Sequence, residues 1–285
     1  MSTINLELLK AHRQRTFQLS RASRVTTPGQ ALKFVNRRGF VFFWPIKGVD
    51  LPSLWSAVAG NRPVAENHDD PGHISWRWKD NALGRKIWYY AKILRHKATL
   101  ISIELVPYFY ALSDNFGAPE EDYLTAYEEG RLTLSSKHVF EALLHQGPLN
   151  SIDLRRASKL GNARDSDFNH ALEYLQSDFK ILPVGIAEAG SWRYSFIYDV
   201  VPRHFPELLA KSRLLSEGES RKKLIEVYLE SVGAAQERDV VKLFGWGSEL
   251  TRRSMRLLIQ SGFLSNGLYP GKEGEWISLP ELVKD

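Results

Sequence analysis

Hydrophobic positions recur every three to four residues in two stretches of the chain, and each stretch ends in two short runs typical of strands. The later stretch, residues 220–283, contains SRKKLIEVYLESVG, QERDVVKLFGW and SELTRRSMRLLIQSG, followed by FLSNGLYPGKEGEWISL. The earlier stretch begins about 85 residues before it and contains SSKHVFEALLHQGPLN, SIDLRRASKLG and SDFNHALEYLQSD, followed by FKILPVGIAEAGSWRYSFIYDV. Each copy is predicted to form three short helices and then a hairpin with a glycine turn.

Three helices followed by a hairpin are the parts of a winged helix, a helix-turn-helix module that most often binds duplex DNA. We therefore predict a mainly α fold with small β-hairpins, of the α+β class, built from tandem winged-helix modules. The predicted boundaries are residues 1–116 for a basic N-terminal region, 117–205 for a central winged helix and 206–285 for a C-terminal winged helix. The acidic segment FGAPEEDYLTAYEEG is expected to form a connecting helix.

The first third is interpreted as a degenerate third winged helix with an added helix and strand. Thr27 followed by Pro28 predicts the start of a helix, and Gly39 predicts its end. GFVFFWPI predicts a short strand, LPSLWSAVAG a further helix and NRPVAENHDDPGH a polar loop.

Two further segments of the first third carry strand-like patterns. Trp76 and Trp78 alternate with Arg77 and Lys79, which predicts a strand with one apolar and one basic face. The next segment, LGRKIWYYAKILRHKATLISIEL, is expected to form a helix followed by a strand.

Charge is distributed unevenly along the 285 residues. Residues 1–116 contain 17 Lys and Arg against 8 Asp and Glu, a balance of +9. Residues 117–205 balance to −4, with 9 basic and 13 acidic side chains, and residues 206–285 balance to zero, with 12 of each. A localised positive field attracts polyanions, so the first third is the region that favours DNA; an idle basic surface is the alternative.

Composition restricts the function classes. The chain has no cysteine, which excludes disulfides, thiol nucleophiles and cysteine-ligated metal sites. It has no run of 18 apolar residues and no apolar signal segment at its start. We expect a cytoplasmic protein, nucleoid-associated when bound to DNA, with no membrane partner. Neither a phosphate-binding glycine loop nor a GxSxG motif occurs, so no cofactor and no nucleotide is expected.

The candidate DNA-binding residues are basic side chains in the last copy and in the first third. In the last copy, the third helix begins near Ser248, and its early residues are expected to meet the base edges. Arginine suits both phosphate oxygens and the edge of guanine. Pairing of these arginines with Glu249 on a solvated helix face is the alternative. The candidates are Arg13, Arg15, Arg21, Arg24, Arg37, Arg38, Arg77, Lys79, Arg252, Arg253, Arg256 and, in the hairpin turn, Lys272.

The central copy differs from the last one in the charge of its third helix. That helix carries Asp165, Asp167 and Glu173, which would face phosphates with carboxylates. Its second helix is basic instead, with Arg155 and Arg156. The central module is therefore expected to contact DNA by another face or to serve as a scaffold.

The polar loop of the first third carries the densest set of candidate catalytic groups. Glu66, His68, Asp69, Asp70 and His73 offer carboxylates beside imidazoles, which is a composition for metal binding or acid–base chemistry. The spacing lacks the helical HExxH pattern, and DDPG is ordinary turn chemistry, so a solvated turn is the alternative and no metal is expected.

The order of these segments resembles a known family. GPLNSIDLRR, YLESVGAAQERDVVKLFGW with LLIQSGFL, and GFVFFWPIKGVDLPSLWSAV are similar to segments of the winged-helix crosslink-repair DNA glycosylases of the YcaQ/AlkZ type, over most of residues 20–283. The resemblance implies tandem winged helices around double-stranded DNA, damaged DNA included, and a role in DNA repair. Enzymes of that family excise alkylated or crosslinked bases.

The family's catalytic signature is a glutamine, any residue, and then a glutamine or aspartate, after the glycine that ends the first helix. By alignment these positions fall on Phe42 and Trp44, and neither side chain can orient a water molecule. The resemblance thus implies a diverged member without the usual motif. If the chain is an enzyme, it is a glycosylase with another carboxylate, for which Asp50, Glu66, Asp69 and Asp70 are candidates.

Three functions are compatible with these observations. The leading one is a DNA-binding protein of tandem winged helices that has diverged in catalysis. The first alternative is an active DNA glycosylase for alkylated or crosslinked bases, and the second is a winged-helix scaffold for protein interactions.

Overall fold

This α+β protein combines helices with four small antiparallel sheets in a computed structural model that describes residues 2–190 and 193–284. The N-terminal arm begins with a short strand and a helix, β1 (Thr3–Ile4) and α1 (Leu6–Thr16), followed by a 3-10 turn at Arg21–Ser23. Helix α1 ends at Thr16, so the basic residues Arg21 and Arg24 lie outside it.

The first unit of the fold spans residues 28–101. Its elements are α2 (Pro28–Arg38), β2 (Phe40–Phe42), α3 (Leu54–Ala59), a 3-10 turn (Pro71–His73), α4 (Ile74–Ala82), β3 (Tyr89–Lys92) and β4 (Ala98–Ile101). The helix start at Pro28 is confirmed, because the Thr27 hydroxyl accepts the Gln30 backbone N–H at 3.2 Å. Two connecting helices follow, α5 (Val106–Tyr110) and α6 (Pro119–Glu128), and the second confirms the expected connecting helix.

Two predictions for the first unit were wrong. Residues 76–79 lie in helix α4, where the buried positions Ser75, Trp78, Lys79 and Ala82 follow helical spacing. The alternation of tryptophan with basic residues therefore reflects the two sides of a helix. In the segment expected to be a helix followed by a strand, the strand is present as β4, but Tyr89–Lys92 forms a second strand instead of a helix. The two strands form the hairpin β3–β4, in which Tyr89 and Ala91 are buried at a period of two.

The central unit spans residues 134–200 and the last unit spans residues 217–278. The central elements are α7 (Leu134–Gln146), β5 (Leu149–Asn150), α8 (Ser151–Ala157), α9 (Asp165–Ser177), β6 (Ile181–Ala187) and β7 (Ser195–Val200). Short helices α10 (Val201–His204) and α11 (Leu208–Ser212) lead to α12 (Glu217–Val232), β8 (Ala234–Ala235), α13 (Glu237–Phe244), α14 (Ser248–Gln260), β9 (Ser265–Gly267) and β10 (Trp276–Ser278). The chain closes with a 3-10 turn at Pro280–Leu282 and β11 (Val283–Lys284).

The three helices and the hairpin predicted for each of the two later copies are confirmed, with α14 starting at Ser248. The glycine turn of the central hairpin falls partly on residues 191 and 192, which lie outside the described residues. All three units share one connectivity, in which the second hairpin strand lies between the first hairpin strand and a short strand after the first helix. The strand orders are β2-β4-β3, β5-β7-β6 and β8-β10-β9.

A continuous apolar core joins the first and last units. Phe40 and Phe42 of β2, Phe109 of α5 and Tyr228 of α12 belong to one buried cluster that reaches the central unit at Phe179. Gly39 stands where the units meet: a Cβ there would lie 2.3 Å from Leu105 Cδ1 and 2.6 Å from Val227 Cγ1. The central unit and the far side of the first unit have separate cores.

The N-terminal arm belongs to the last unit by its contacts. Strand β1 pairs with β11 antiparallel, with Thr3 opposite Lys284. Helix α1 packs on α12, and the buried Thr16 hydroxyl donates to the Ser231 carbonyl at 2.7 Å. Among the described residues, no helix has both the length and the apolar content that crossing a bilayer requires.

Candidate nucleic-acid interface

A cleft of about 390 Å³ opens between the first and last units and collects cations from three separate segments. We call it the basic cleft. Its cationic walls come from the β3–β4 hairpin, helix α13 and the β9–β10 turn, and a loop after β2 brings in a carboxylate. The charged and aromatic residues that line it are Asp50, Arg95, Tyr228, Arg238, Asp239, Lys242, Lys272 and Trp276.

Helix α13 supplies two of the cations from its exposed face. Arg238 and Lys242 are four residues apart, so both side chains project from the same side, while Val240 and Leu243 on the other side are buried. A helix with one apolar side fixed in the core holds its charged side in a constant position. The two cations are therefore presented to the cleft by a rigid element.

The third cation, Arg95, lies at the tip of the β3–β4 hairpin. Arg95 and His96 both have left-handed backbone, with φ of 54° and 55°. Side chains other than glycine adopt this conformation at a cost of about 1–2 kcal/mol each. The tip keeps this left-handed backbone because Leu94 is buried and the tip packs against α9 and α13. The packing of the hairpin thus offsets local strain and directs Arg95 toward the cleft.

Lys272 completes the cationic wall from the β9–β10 turn. Its Nζ lies 4.3 Å from the ring centroid of Tyr269 and 5.0 Å from that of Trp276. The turn itself is tied to the start of α13, because the Gln236 amide donates to the Glu273 carbonyl at 3.0 Å. The prediction placed Lys272 in the hairpin turn, and the structure puts that turn at the edge of the basic cleft.

Asp50 is held at the cleft by an anchored arginine. Arg13 donates from Nε to the Val232 carbonyl at 2.8 Å and from Nη2 to the Ala234 carbonyl at 3.1 Å. Its remaining nitrogen, Nη1, lies 3.0 Å from Asp50 Oδ2. Arg13 was predicted to contact DNA. Its guanidinium instead bonds to two carbonyls and a carboxylate, and it thereby holds Asp50 at the cleft. Asp50 itself stays 54% exposed.

The other predicted basic residues of the arm and α2 form two patches outside the cleft. Arg24, Arg37 and Lys33 line a shallow depression beside α2, and Arg21 is exposed on the preceding 3-10 turn. Arg15 and Arg38 line a second depression, together with Glu230 and Glu281. Burial lowers the pKa of Arg38, whose guanidinium lies against the Glu230 carbonyl. Because Glu230 and Glu281 offset the charges of Arg15 and Arg38, the patch at α2 is the more cationic of the two.

Lys79 departs from its predicted role because it lies in the interior. Its side chain is 2% exposed, and its Nζ lies 2.6 Å from Asp80 and donates to the Tyr194 hydroxyl at 3.1 Å. Burial lowers the pKa of Lys79, and the Asp80 carboxylate opposes that effect. The ammonium fastens α4 to the central hairpin and cannot contact a phosphate. Arg77, by contrast, is exposed on α4.

Of the three arginines on helix α14, one is paired with carboxylates and two are exposed to solvent. Arg252 donates to both oxygens of Glu237 on α13, each at 3.0 Å, and also contacts Glu249 at 3.3 Å. The pairing with Glu249 that the sequence offered as an alternative is therefore present. Arg253 and Arg256 lie on the exposed side of the helix.

In the central unit, the acidic helix α9 packs against the first unit. Lys92 of β3 contacts Glu173 at 2.7 Å, and the Lys92 backbone N–H donates to Gln176 at 3.2 Å. On α8, Arg155 donates to the Leu160 carbonyl and pairs with Asp165. Helix α9 thus joins the central unit to the first unit through an ion pair and a hydrogen bond.

The acidic loop of the first unit lies apart from the basic cleft. Asp70 accepts the Gly72 backbone N–H at 2.7 Å and pairs with Arg62, and the Arg62 interaction lowers the pKa of Asp70. Glu66 and Asp69 are exposed to solvent. Across residues 2–190 and 193–284, no three His, Asp or Glu side chains converge on a point that could hold a metal ion. Of the four candidate carboxylates, only Asp50 lies in the cleft.

The positions aligned with the glycosylase signature are structural here. Phe42 in β2 is fully buried in the core shared by the first and last units. Trp44 is half-buried, with its ring 5.3 Å from Trp55 and 5.7 Å from His73, measured between centroids. An aromatic cluster occupies this part of the first unit.

Sequence reasoning missed Arg238, Lys242 and Arg95 as a group. Arg238 and Lys242 lie on the second helix of their copy, whereas the motif directed attention to the third helix. Their four-residue spacing on one exposed face was the available signal. Arg95 lies in the segment predicted to be a helix followed by a strand, so its place at a hairpin tip was not predicted.

The comparisons with known proteins agree with this architecture. No curated protein matches the chain in sequence. The solved structure of the Streptomyces sahachiroi DNA glycosylase AlkZ superimposes with a TM-score of 0.61 at 13% identity, covering 98% of this chain and 71% of that one. The family model described as AlkZ related matches residues 25–245. This chain therefore belongs to the AlkZ-related family.

Proposed function

We propose that this protein binds duplex DNA through tandem winged helices, with the basic cleft as its principal phosphate contact, and acts in DNA repair. The observation that carries the proposal is the convergence of Arg95, Arg238, Lys242 and Lys272 from three distant segments on one cleft. Clustered cations on rigid elements are the electrostatic footprint of a nucleic-acid site. The match to the AlkZ-related family makes DNA the expected polyanion.

The shared connectivity of the three units supports the winged-helix assignment. In each unit a helix, a short strand, two helices and a hairpin follow in that order, as in winged helices that bind DNA. We propose winged helices in the first unit and in residues 117–205 and 206–285. The N-terminal arm extends the last of them, because β1 and α1 pack on it.

Two further surfaces would add contacts to the same DNA. Arg253 and Arg256 lie on α14, the helix that corresponds to the groove-reading element of a winged helix. Arg21, Arg24 and Arg37 form the cationic patch at α2, and Arg77 is exposed on α4. Lys79 and Arg13 are left out because both are bonded inside the protein.

The proposal includes divergence from the glutamine-based glycosylases. Phe42 occupies the first signature position and is buried, so it cannot contact a nucleotide. The half-buried Trp44 has no group that orients water. Catalysis by the usual residue pair is therefore not part of the proposed function.

Replacing two cleft cations tests the proposal. Arg238→Ala with Lys242→Ala keeps the helix propensity of α13 and removes two phosphate contacts. Duplex affinity near 0.1 M salt is expected to fall roughly tenfold or more, and the slope of log K against log salt to become shallower by about 1.8. Fluorescence anisotropy on a duplex about two helical turns long measures both quantities.

A matched control uses one arginine and one lysine away from the cleft. Arg193, 80% exposed, and Lys211, 55% exposed, give the double variant Arg193→Ala with Lys211→Ala. This variant should bind like the parent. Equal losses in both double variants, or affinity that does not change with salt, would contradict a DNA site in the cleft. A copurifying protein without any DNA binding would instead support the scaffold function.

A further inference from the structure

The third α-helix of each unit buries side chains at the same spacing, so the exposed positions of the three helices correspond as well. In each helix, buried side chains fall one, four, five and eight positions after an exposed residue. They are Ser75, Trp78, Lys79 and Ala82 in α4, Phe168, Ala171, Leu172 and Leu175 in α9, and Thr251, Ser254, Met255 and Leu258 in α14. Ile74, Asp167 and Leu250 are therefore equivalent, and each is exposed to solvent.

Three equivalent positions form one stripe along each helix, because they are spaced by three and then four residues. In the first and last units the stripe begins with an aliphatic residue and continues with an arginine. It consists of Ile74, Arg77 and Asn81 on α4 and of Leu250, Arg253 and Leu257 on α14, all of them exposed. On α9 the equivalent residues are Asp167, His170 and Tyr174. The central unit thus has neither the aliphatic residue nor the arginine at these positions.

An arginine beside an aliphatic residue suits the edges of base pairs in the major groove. Arginine donates two parallel hydrogen bonds to O6 and N7 of guanine, and an aliphatic side chain packs on the methyl group of thymine. Phosphates offer no apolar surface, so contact with the DNA backbone alone would leave Ile74 and Leu250 facing water. The stripe on α9 would instead bring the Asp167 carboxylate toward phosphates, which repel it.

Helix α14 is fixed to its neighbours, so its stripe has a defined position. Arg252 donates to both oxygens of Glu237 on α13, and the Thr251 hydroxyl donates to the Gly247 carbonyl at 3.1 Å. At a rise of about 1.5 Å per residue, Leu250 and Leu257 lie about 4.5 Å and about 6 Å from Arg253 along the helix axis, on opposite sides of it. Base pairs stack about 3.4 Å apart, so these distances correspond to roughly one and two base steps.

We propose that α4 and α14 read the major groove of duplex DNA at two places, each with an arginine on a guanine and an aliphatic side chain on a nearby thymine methyl group. The inference rests on the proposed duplex binding and adds sequence selectivity to it. On α14, Leu257 contacts a second thymine beyond the guanine. On α4, Asn81 takes that place, and its amide pairs with adenine. The preferred DNA therefore contains one element with guanine between two thymines and one with guanine between thymine and adenine.

Selection of binding sites from random duplexes tests the sequence preference. The parent protein is expected to enrich both elements and to bind an enriched duplex roughly tenfold or more tightly than a shuffled one at the same salt concentration. Arg253→Lys keeps the positive charge but loses the two parallel hydrogen bonds. This variant should lose the preference for guanine in one element and keep it in the other.

Replacing thymine by uracil in the enriched duplex tests the aliphatic contact, because only the methyl group is removed. Parent affinity should fall roughly fourfold at the thymine that Leu250 contacts. Leu250→Ala should bind the thymine and uracil duplexes equally. Leu8→Ala is the matched control, because Leu8 is likewise the third residue of its helix and is 44% exposed, against 45% for Leu250. The control should keep the fourfold difference.

The failures of the two proposals are distinguishable. No binding to any duplex would contradict the proposed function itself. Duplex binding without an enriched sequence, or equal affinity of the parent for thymine and uracil, would overturn the reading role of the helices and leave duplex binding in place. If no sequence is enriched and Leu250→Ala abolishes self-association in sedimentation velocity, the stripe on α14 is a protein contact and the inference is wrong.

Discussion

At the scale of single residues, His12 links pH to stability. It is 6% exposed on α1, and its Nε2 lies 3.0 Å from the Glu230 carbonyl, to which the neutral ring donates. Burial lowers the pKa of His12 below 6.5, with Arg15 acting in the same direction, while the Glu230 hydrogen bond opposes the shift. The pKa of His204 is also lowered by burial. The unfolded chain therefore takes up protons at these positions before the native protein does.

The free energy of unfolding is accordingly expected to be highest above pH 6.5 and to decrease as the pH falls toward the lowered native pKa values. Urea unfolding between about pH 7.5 and pH 5.5 measures this dependence. His12→Gln keeps a donor for the Glu230 carbonyl without a titratable ring, so its dependence should be shallower. The exposed His145 gives the matched substitution His145→Gln. An unchanged dependence in His12→Gln would contradict the assignment.

Two residues singled out from the sequence lie in the basic cleft. Lys272 and Asp50 were recognised from the turn and from the set of carboxylates, and both line the cleft. Lys79 shows why others failed: its sequence neighbours suggest an exposed basic face, yet five aromatic rings and Asp80 surround its ammonium. That environment is assembled from two units, and Tyr194 is 115 positions away from Lys79 in the chain. Local pattern carries no information about such a partner.

At the scale of elements, the β3–β4 hairpin combines strain with charge at its tip. Asparagine tolerates left-handed backbone better than arginine does. Arg95→Asn is therefore expected to raise the free energy of unfolding by a few tenths to about 1 kcal/mol. The same change removes a cleft cation, so duplex affinity should fall and the salt slope should become shallower by about 1. Urea unfolding and anisotropy measure the two effects.

His96→Asn separates these effects. His96 has nearly the same backbone conformation, with φ of 55°, but it does not line the cleft. This variant should gain stability without losing affinity. A parallel loss of affinity in both variants would mean that the hairpin conformation, and not the Arg95 charge, matters for binding.

The helices of the two later units were predictable from the sequence, whereas helix α4 of the first unit was not. The three-helix pattern of the two later copies was clear because buried leucine, valine and isoleucine recur at helical spacing. In the first unit, α4 begins after a 3-10 turn capped by Asp70, and its tryptophans imitate strand alternation. The assignment of 83–105 failed for a related reason. Its aromatic and basic residues suit both a helix and a hairpin, and pairing with β2 decides between them.

At the scale of the whole molecule, Gly39 tests how tightly the units are joined. Gly39→Ala would force left-handed backbone on an alanine, and its Cβ would meet Leu105 of the first connection and Val227 of the last unit. We expect a loss of about 2–4 kcal/mol in the free energy of unfolding. Urea unfolding followed by circular dichroism measures the loss. Gly29, where a Cβ meets nothing within 4 Å, is the control position, and an equal effect of Gly29→Ala would contradict the explanation.

The composition of the basic cleft has a consequence for the order in which the protein can be completed during synthesis. Asp50 and Arg95 come early in the chain, whereas Arg238, Lys242 and Lys272 come near its end. Strand β1 likewise has no pairing partner until β11 has been synthesised. At about 5–20 residues per second, a ribosome needs roughly 10–40 s to pass from one wall of the cleft to the other. Until α12 has been synthesised, Phe40 and Phe42 lack residues of the buried cluster that covers them in the finished protein.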